Sequence, residues 1–163
     1  MLVALIASLI PCQATHEARV SSVSGDVKYQ LAQSNAFLPL KVNQKLTPGT
    51  TIKAGPNSNA IIVTVPGAGI NIAENTTVTL AEIDFNQNSS EGAKRKTLVE
   101  LRSGTVSALI DKNVSSQTDF RIKTPQGTAT ARGTFYGVTY DGKQTYVAVR
   151  EGKVGVSQMT KKR

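Results

Sequence analysis

Asp119-Phe120-Arg121-Ile122-Lys123-Thr124-Pro125-Gln126-Gly127-Thr128-Ala129-Thr130-Ala131-Arg132-Gly133-Thr134-Phe135-Tyr136-Gly137-Val138 is the stretch whose reading decides the fold. Its first residues alternate, with Phe120 and Ile122 on one side and Arg121 and Lys123 on the other. A period of two is the signature of a strand with one buried face. Pro125 fixes φ and starts a turn, and Gly127 finishes it. Ala129 and Ala131 then put methyl-sized side chains on one face, so that another layer can approach closely. Gly133 permits a bend or a close backbone approach. Arg132 has two readings. It reaches an anion or a partner carboxylate, or it pairs with a nearby acid or carbonyl and holds a turn. The second is favoured.

Working outward, Thr97 to Arg102 repeats the alternation, with Val99 and Leu101 opposite Glu100 and Arg102. Asn59 to Val65 is nearly all apolar or β-branched, which predicts a central strand covered on both faces. Thr79 to Phe85 starts in one phase at Leu80 and ends in the other at Ile83 and Phe85. A bulge near Glu82 is expected. Turn signals recur at Ser24-Gly25, Pro48-Gly49, Gly55-Pro56-Asn57, Pro66-Gly67, Ser103-Gly104, Pro125-Gln126-Gly127, Asp141-Gly142 and Glu151-Gly152. No segment keeps a helical period.

Gly25, Gly104 and Gly152 sit in similar surroundings: a strand, a polar residue, the Gly, one more residue, then Val27, Val106 or Val154. Their unequal separations exclude a solenoid of constant repeat length. Strands returning to equivalent corners of a rolled sheet fit, and so does turn chemistry that any hairpin shares. The pattern predicts one all-β domain of many short strands over residues 15–158. It would be a rolled β-sandwich or a short irregular β-solenoid.

Composition agrees. The 163 residues suit one domain, and the 13 Gly and absence of Trp, in a Val- and Thr-rich chain, favour strands and turns. The net charge of +8 attracts anions. Two basic clusters stand out, Lys94-Arg95-Lys96 in a Ser/Glu/Gly-rich loop and Lys161-Lys162-Arg163 in a tail at 159–163. A solvated loop and a solvated end account for both more economically than a binding groove does. Lys94, Arg95, Lys96 and Arg132 are the candidate anion contacts.

Leu2 to Ile10 is an unbroken apolar run followed by Pro11, about half the length that crosses a bilayer. It fits the apolar region of a secretory signal peptide over residues 1–14, cleaved after Ala14, although no Lys or Arg precedes it. Cys12 is the single cysteine. Lipidation there is the minority reading, because Pro11 occupies the position that wants a small residue. No other segment is apolar enough to span a membrane.

The Thr124 to Val138 stretch resembles the signature of the FecR domain. In that family a strand enters a Thr-Pro turn, small residues alternate up to Arg-Gly-Thr, and an aromatic and a Val follow. Thr124, Pro125, Gly127, Ala129, Arg132, Gly133, Thr134, Tyr136 and Val138 carry the match, and a structural role is expected for them. Gly25 and Val27, then Leu46, Gly49 and Ile52, then Ala60 and Ile62, then Leu101 to Val106, Phe120 and Ile122 follow in the family's order. The resemblance spans about Arg19 to Ser157. It implies the extracytoplasmic domain alone. The cytoplasmic anti-sigma segment, the membrane helix of sensor members and the LysM module of others have no counterpart, so the regulatory role is not expected to carry over whole.

Catalytic patterns are sparse. One His excludes a multi-His zinc or haem site, and His16 falls in an expected frayed terminus. Gly67-Ala68-Gly69 lacks the third Gly of a dinucleotide loop. No cofactor or metal is implied. Glu82 and Asp84, two apart on one strand, are the one carboxylate pair worth testing for hydrolysis. Four Tyr and four Phe, widely scattered, argue against a base-stacking nucleic-acid surface. The expectation is a non-catalytic periplasmic or secreted binding module. Its partner would be an envelope protein or, alternatively, an anionic cell-wall polymer such as peptidoglycan or lipopolysaccharide. Oligomeric state is not legible.

Overall fold

Alternating side chains commit most of this chain to strands, and the strands join a single sheet. A computed structural model describes residues 16–159, without the side chains of residues 132–134. The expected leader, Cys12, the basic tail and the Arg132 side chain lie outside the described residues. Twelve strands follow one another: β1 Ala18–Ser24, β2 Val27–Gln30, β3 Leu38–Pro39, β4 Lys45–Leu46, β5 Thr51–Ala54, β6 Asn59–Val65, β7 Ala68–Ile72, β8 Thr76–Asn86, β9 Lys94–Ile110, β10 Thr118–Thr124, β11 Gly127–Tyr140 and β12 Thr145–Gln158. A short 3-10 turn, Lys112–Gln117, precedes β10. Asp111 caps it, its carboxylate accepting from the Asn113 N–H at 2.9 Å.

The sheet is rolled because its long strands change neighbours partway. The first half of β9 pairs antiparallel with β8 and parallel with β10. Its second half pairs with β7 and β11. Likewise β11 pairs with β10 through Gly127–Ala131 and with β9 through Phe135–Tyr140. Two walls result. One holds β5, β8, the first half of β9, β10 and the start of β11. The other holds β6, β7 and the second halves of β9 and β11. Both contribute inward side chains to one core: Leu80, Val99, Leu101, Phe120 and Ile122 from the first, Ile62, Ile70, Ile72, Val106 and Val138 from the second. Burying each of these stabilises the fold by about 1.5–3 kcal/mol before chain entropy is subtracted.

Threonines close the polar accounts of this core. Thr97 Oγ1 donates to Thr64 Oγ1 at 3.0 Å, and Thr64 Oγ1 to the Ala68 carbonyl at 3.3 Å, all buried. Thr51 and Thr79 pair at 2.9 Å, as do Thr105 and Thr139. Directly opposed threonines that exchange hydrogen bonds stabilise neighbouring strands.

The structure corrects two expectations. Most strands are short, as expected, although β9 has 17 residues and β11 and β12 have 14 each. Ser103-Gly104 and Glu151-Gly152 are not hairpin turns but bends inside β9 and β12. Gly104 has φ +91°, and a Cβ there would meet Thr76 Oγ1 at 2.3 Å and the Asn75 carbonyl at 2.7 Å. β6 lies between β1 and β7 but is covered on one face only: Ala60, Ile62 and Thr64 are buried while Ile61 is half-buried and Val63 exposed. The bulge near Glu82 is present, as a register slip between Leu80 and Glu82.

Candidate functional site

The signature residues build the bend of the roll. Thr124, at the end of β10, is buried and organises the next turn. Its hydroxyl accepts from the Gln126 N–H at 3.3 Å and pairs with the Thr145 hydroxyl at 2.8 Å. Pro125 is exposed in that turn. The turn occupies Pro125 and Gln126, and Gly127 follows it without a left-handed φ. It opens β11, where a Cβ would lie 2.4 Å from the Ser157 carbonyl of β12, so it serves close approach. Ala129 and Ala131 are buried opposite Ile122 and Phe120, small beside large on one face. The register slips between Arg132 and Phe135, where β11 passes from one wall to the other, and Gly133 and Thr134 lie at that step. Beyond it Tyr136 and Val138 are fully buried. Burial in this apolar setting pushes the Tyr136 phenol well above its ordinary pKa, with the Asp119 carboxylate adding to the effect.

Lys94, Arg95 and Lys96 do come together, lining a cleft of about 840 Å³ with Ser115, Thr118 and Thr130. Arg132 follows Ala131, which also lines it. The cleft is not a bare cationic surface. Asp84 and Asp119 share its lining. Lys94 Nζ lies 2.5 Å from Glu91 and Lys96 Nζ 2.7 Å from Glu82. Arg95 stacks on Phe85, 5.1 Å from the ring centre, and donates to the Pro66 carbonyl at 2.7 Å. Asp119 accepts a two-pronged contact from Arg121, which holds its carboxyl below the usual range despite partial burial. The ion pairs are exposed, and such pairs contribute little stability.

Glu82 and Asp84 sit on the outer side of β8 beside these cations. Glu82 meets Lys96, while Asp84 lies 3.7 Å from His16. The His16 Nδ1 is also 3.2 Å from the Ile83 carbonyl. Among the described residues no three His, Cys, Asp or Glu side chains gather as metal ligands. Nor is any helix among them long and apolar enough to cross a membrane.

The feature that sequence reasoning missed lies at the other end of the roll. β12 pairs with β11 and, among the described residues, with no other strand. Its register sets Val147 opposite Val138, Val149 opposite Tyr136, Val154 opposite Ala131 and Val156 opposite Ala129. Opposed residues share a face, so all four valines point to the core side. Yet Val149 is 46% and Val156 57% exposed, with Met159 at 51%. Both halves of β12 line one cleft of about 1000 Å³, together with Ile122, Ala129, Val138 and Tyr140. The core is therefore open at this end, between the two arms of β12. The signal was present in the sequence as valines on either side of Arg150-Glu151-Gly152, but it read as two strands around a turn.

A family model described as FecR protein matches residues 50–155. Comparison with curated proteins and with solved structures returned no match.

Proposed function

The chain belongs to the FecR protein family, and from that premise we propose that it is a non-catalytic binding module of the bacterial envelope, periplasmic or secreted, that takes a protein partner. The observation that carries this reading is the open end of the roll. The outer edge of the 14-residue strand β12, with no partner strand among the described residues, offers a row of backbone donors and acceptors, and its core-facing valines are left half covered. Strand addition uses such an edge: the backbone supplies affinity and the side-chain pockets supply specificity. Scaffold and sensing roles both follow from capture of a protein segment there.

The test is retention of envelope proteins on the immobilised chain, compared with the Val147→Lys/Val154→Lys variant. The reading predicts a partner that the variant loses. Equal retention by both chains, or no reproducible partner with a second copy of the chain included, would overturn it.

A second reading, binding of an anionic cell-wall polymer, is favoured by the gathering of Lys94, Arg95 and Lys96 on one cleft. It predicts sedimentation with purified cell wall that weakens as salt rises. Absence of co-sedimentation at low salt removes it. The carboxylates in that cleft make the protein reading the stronger one.

A further inference from the structure

We infer that β12 pairs with β12 of a second copy of this chain, so that two rolls close each other end to end. The inference rests on reading the open end as a protein-binding surface, and it names the occupant.

The sequence of β12 is self-complementary when run antiparallel about a two-fold axis. Set Arg150 opposite Glu151 of the second copy; symmetry then sets Glu151 opposite Arg150. In that register Val147 faces Val154, Thr145 faces Val156, Tyr146 faces Gly155 and Ala148 faces Lys153. Within one chain, the bulge at Arg150 switches which residues point to the core. Thr145, Val147 and Val149 do so before it, Val154 and Val156 after it. The proposed register therefore matches core-side residues with core-side residues and outer with outer. A slip by one residue sets core-facing side chains against solvent-facing ones. A slip by two sets Arg150 against Lys153 in one direction. In the other it leaves Arg150 and Glu151 unmatched and Val147 opposite Gly152.

The exposed residues gain partners in the same register. Tyr146, exposed on the outer face, would cover Gly155, and an aromatic across from an edge glycine stabilises such a pair. Glu151 is held by Lys112 and Arg150 stacks on Phe135, 5.6 Å from its ring centre. The two arms of β12 belong to different walls, so each wall would continue into the opposite wall of the second copy. The two open cores then become one, covering Val149 and Val156.

Sedimentation velocity across the micromolar range tests this, with charge-swapped variants. The wild-type chain is expected to reach twice its 17.3 kDa mass. Arg150→Glu alone and Glu151→Arg alone each place like charges opposite one another twice per dimer, which weakens association about ten-fold or more. An equimolar mixture of the two restores opposite charges at both contacts and recovers the dimer. A wild-type chain that stays monomeric overturns the inference, as do single variants that dimerise like the wild type. If a monomeric wild type still retains an envelope protein that Val147→Lys/Val154→Lys loses, self-pairing is refuted while the protein-binding reading stands. If it retains none, both fail.

Discussion

Gly104 and Gly142 share a left-handed backbone, at φ +91° and +94°, but not surroundings. Nothing lies within 4 Å of a Cβ added at Gly142, whereas Thr76 and Asn75 crowd one at Gly104. Gly142→Ala is therefore expected to cost about 1 kcal/mol of backbone strain. Gly104→Ala adds a steric clash in the bend and should cost roughly 3 kcal/mol. Urea denaturation of the two variants separates the terms. Tyr136 supports a second prediction. Its phenol is neutral and buried, and its hydroxyl reaches the Phe120 carbonyl only at 3.5 Å. Its folded pKa is raised, so its stability contribution is whole below the unfolded value of about 10 and is lost as pH rises beyond that. Tyr136→Phe should change stability by less than about 1 kcal/mol at neutral pH and should lose less stability than the wild type in strong alkali. Thermal melts at both pH values decide it. At this scale the alternation of Phe120 with Arg121 was legible, because it is local. The reason for Gly127 was not, because the Ser157 carbonyl that excludes a Cβ comes from a strand beyond β11.

Strands show the same division. The bulge in β8 was readable from a change of hydrophobic phase at Glu82, and the burial of Val99 and Leu101 from simple alternation. The bends in β9 and β12 were misread because Gly with a polar neighbour serves a turn and a bend alike. Which one forms depends on whether the next residues find a new neighbour strand. For β9 they do, in β7 and β11. β6 was misjudged because an all-apolar strand reads as doubly covered, while Val63 is exposed and Ile61 only half-buried. The Thr64–Thr97 pair supplies the prediction at this scale. Thr64→Val leaves the buried Thr97 hydroxyl without its acceptor and should cost about 1–3 kcal/mol. Thr64→Val/Thr97→Val removes both hydroxyls and should recover part of that loss. A double-mutant cycle by denaturant titration reads the coupling; strictly additive losses would mean that the hydroxyls do not depend on each other.

For the whole molecule, family and fold class were legible together, because Thr124 to Val138 both marks the family and forms the bend that rolls the sheet. The basic cluster was legible as a cluster, and so was Glu91 beside Lys94 in the same loop, but not the pairing of Lys96 with Glu82 of β8 or the presence of Asp84 and Asp119 in the same cleft. The valines of the open end were legible as strand residues, but their exposure was not, since it depends on which strands pair beyond them. That open end is the centre of the functional account, and amide hydrogen exchange tests it most directly. Exchange would be followed in dilute and in concentrated solution. The account predicts that residues 145–158 gain protection on concentration while β9 and β10 keep theirs unchanged. Unchanged exchange along β12, or new protection confined to another surface, would contradict the pairing of β12 with a second copy.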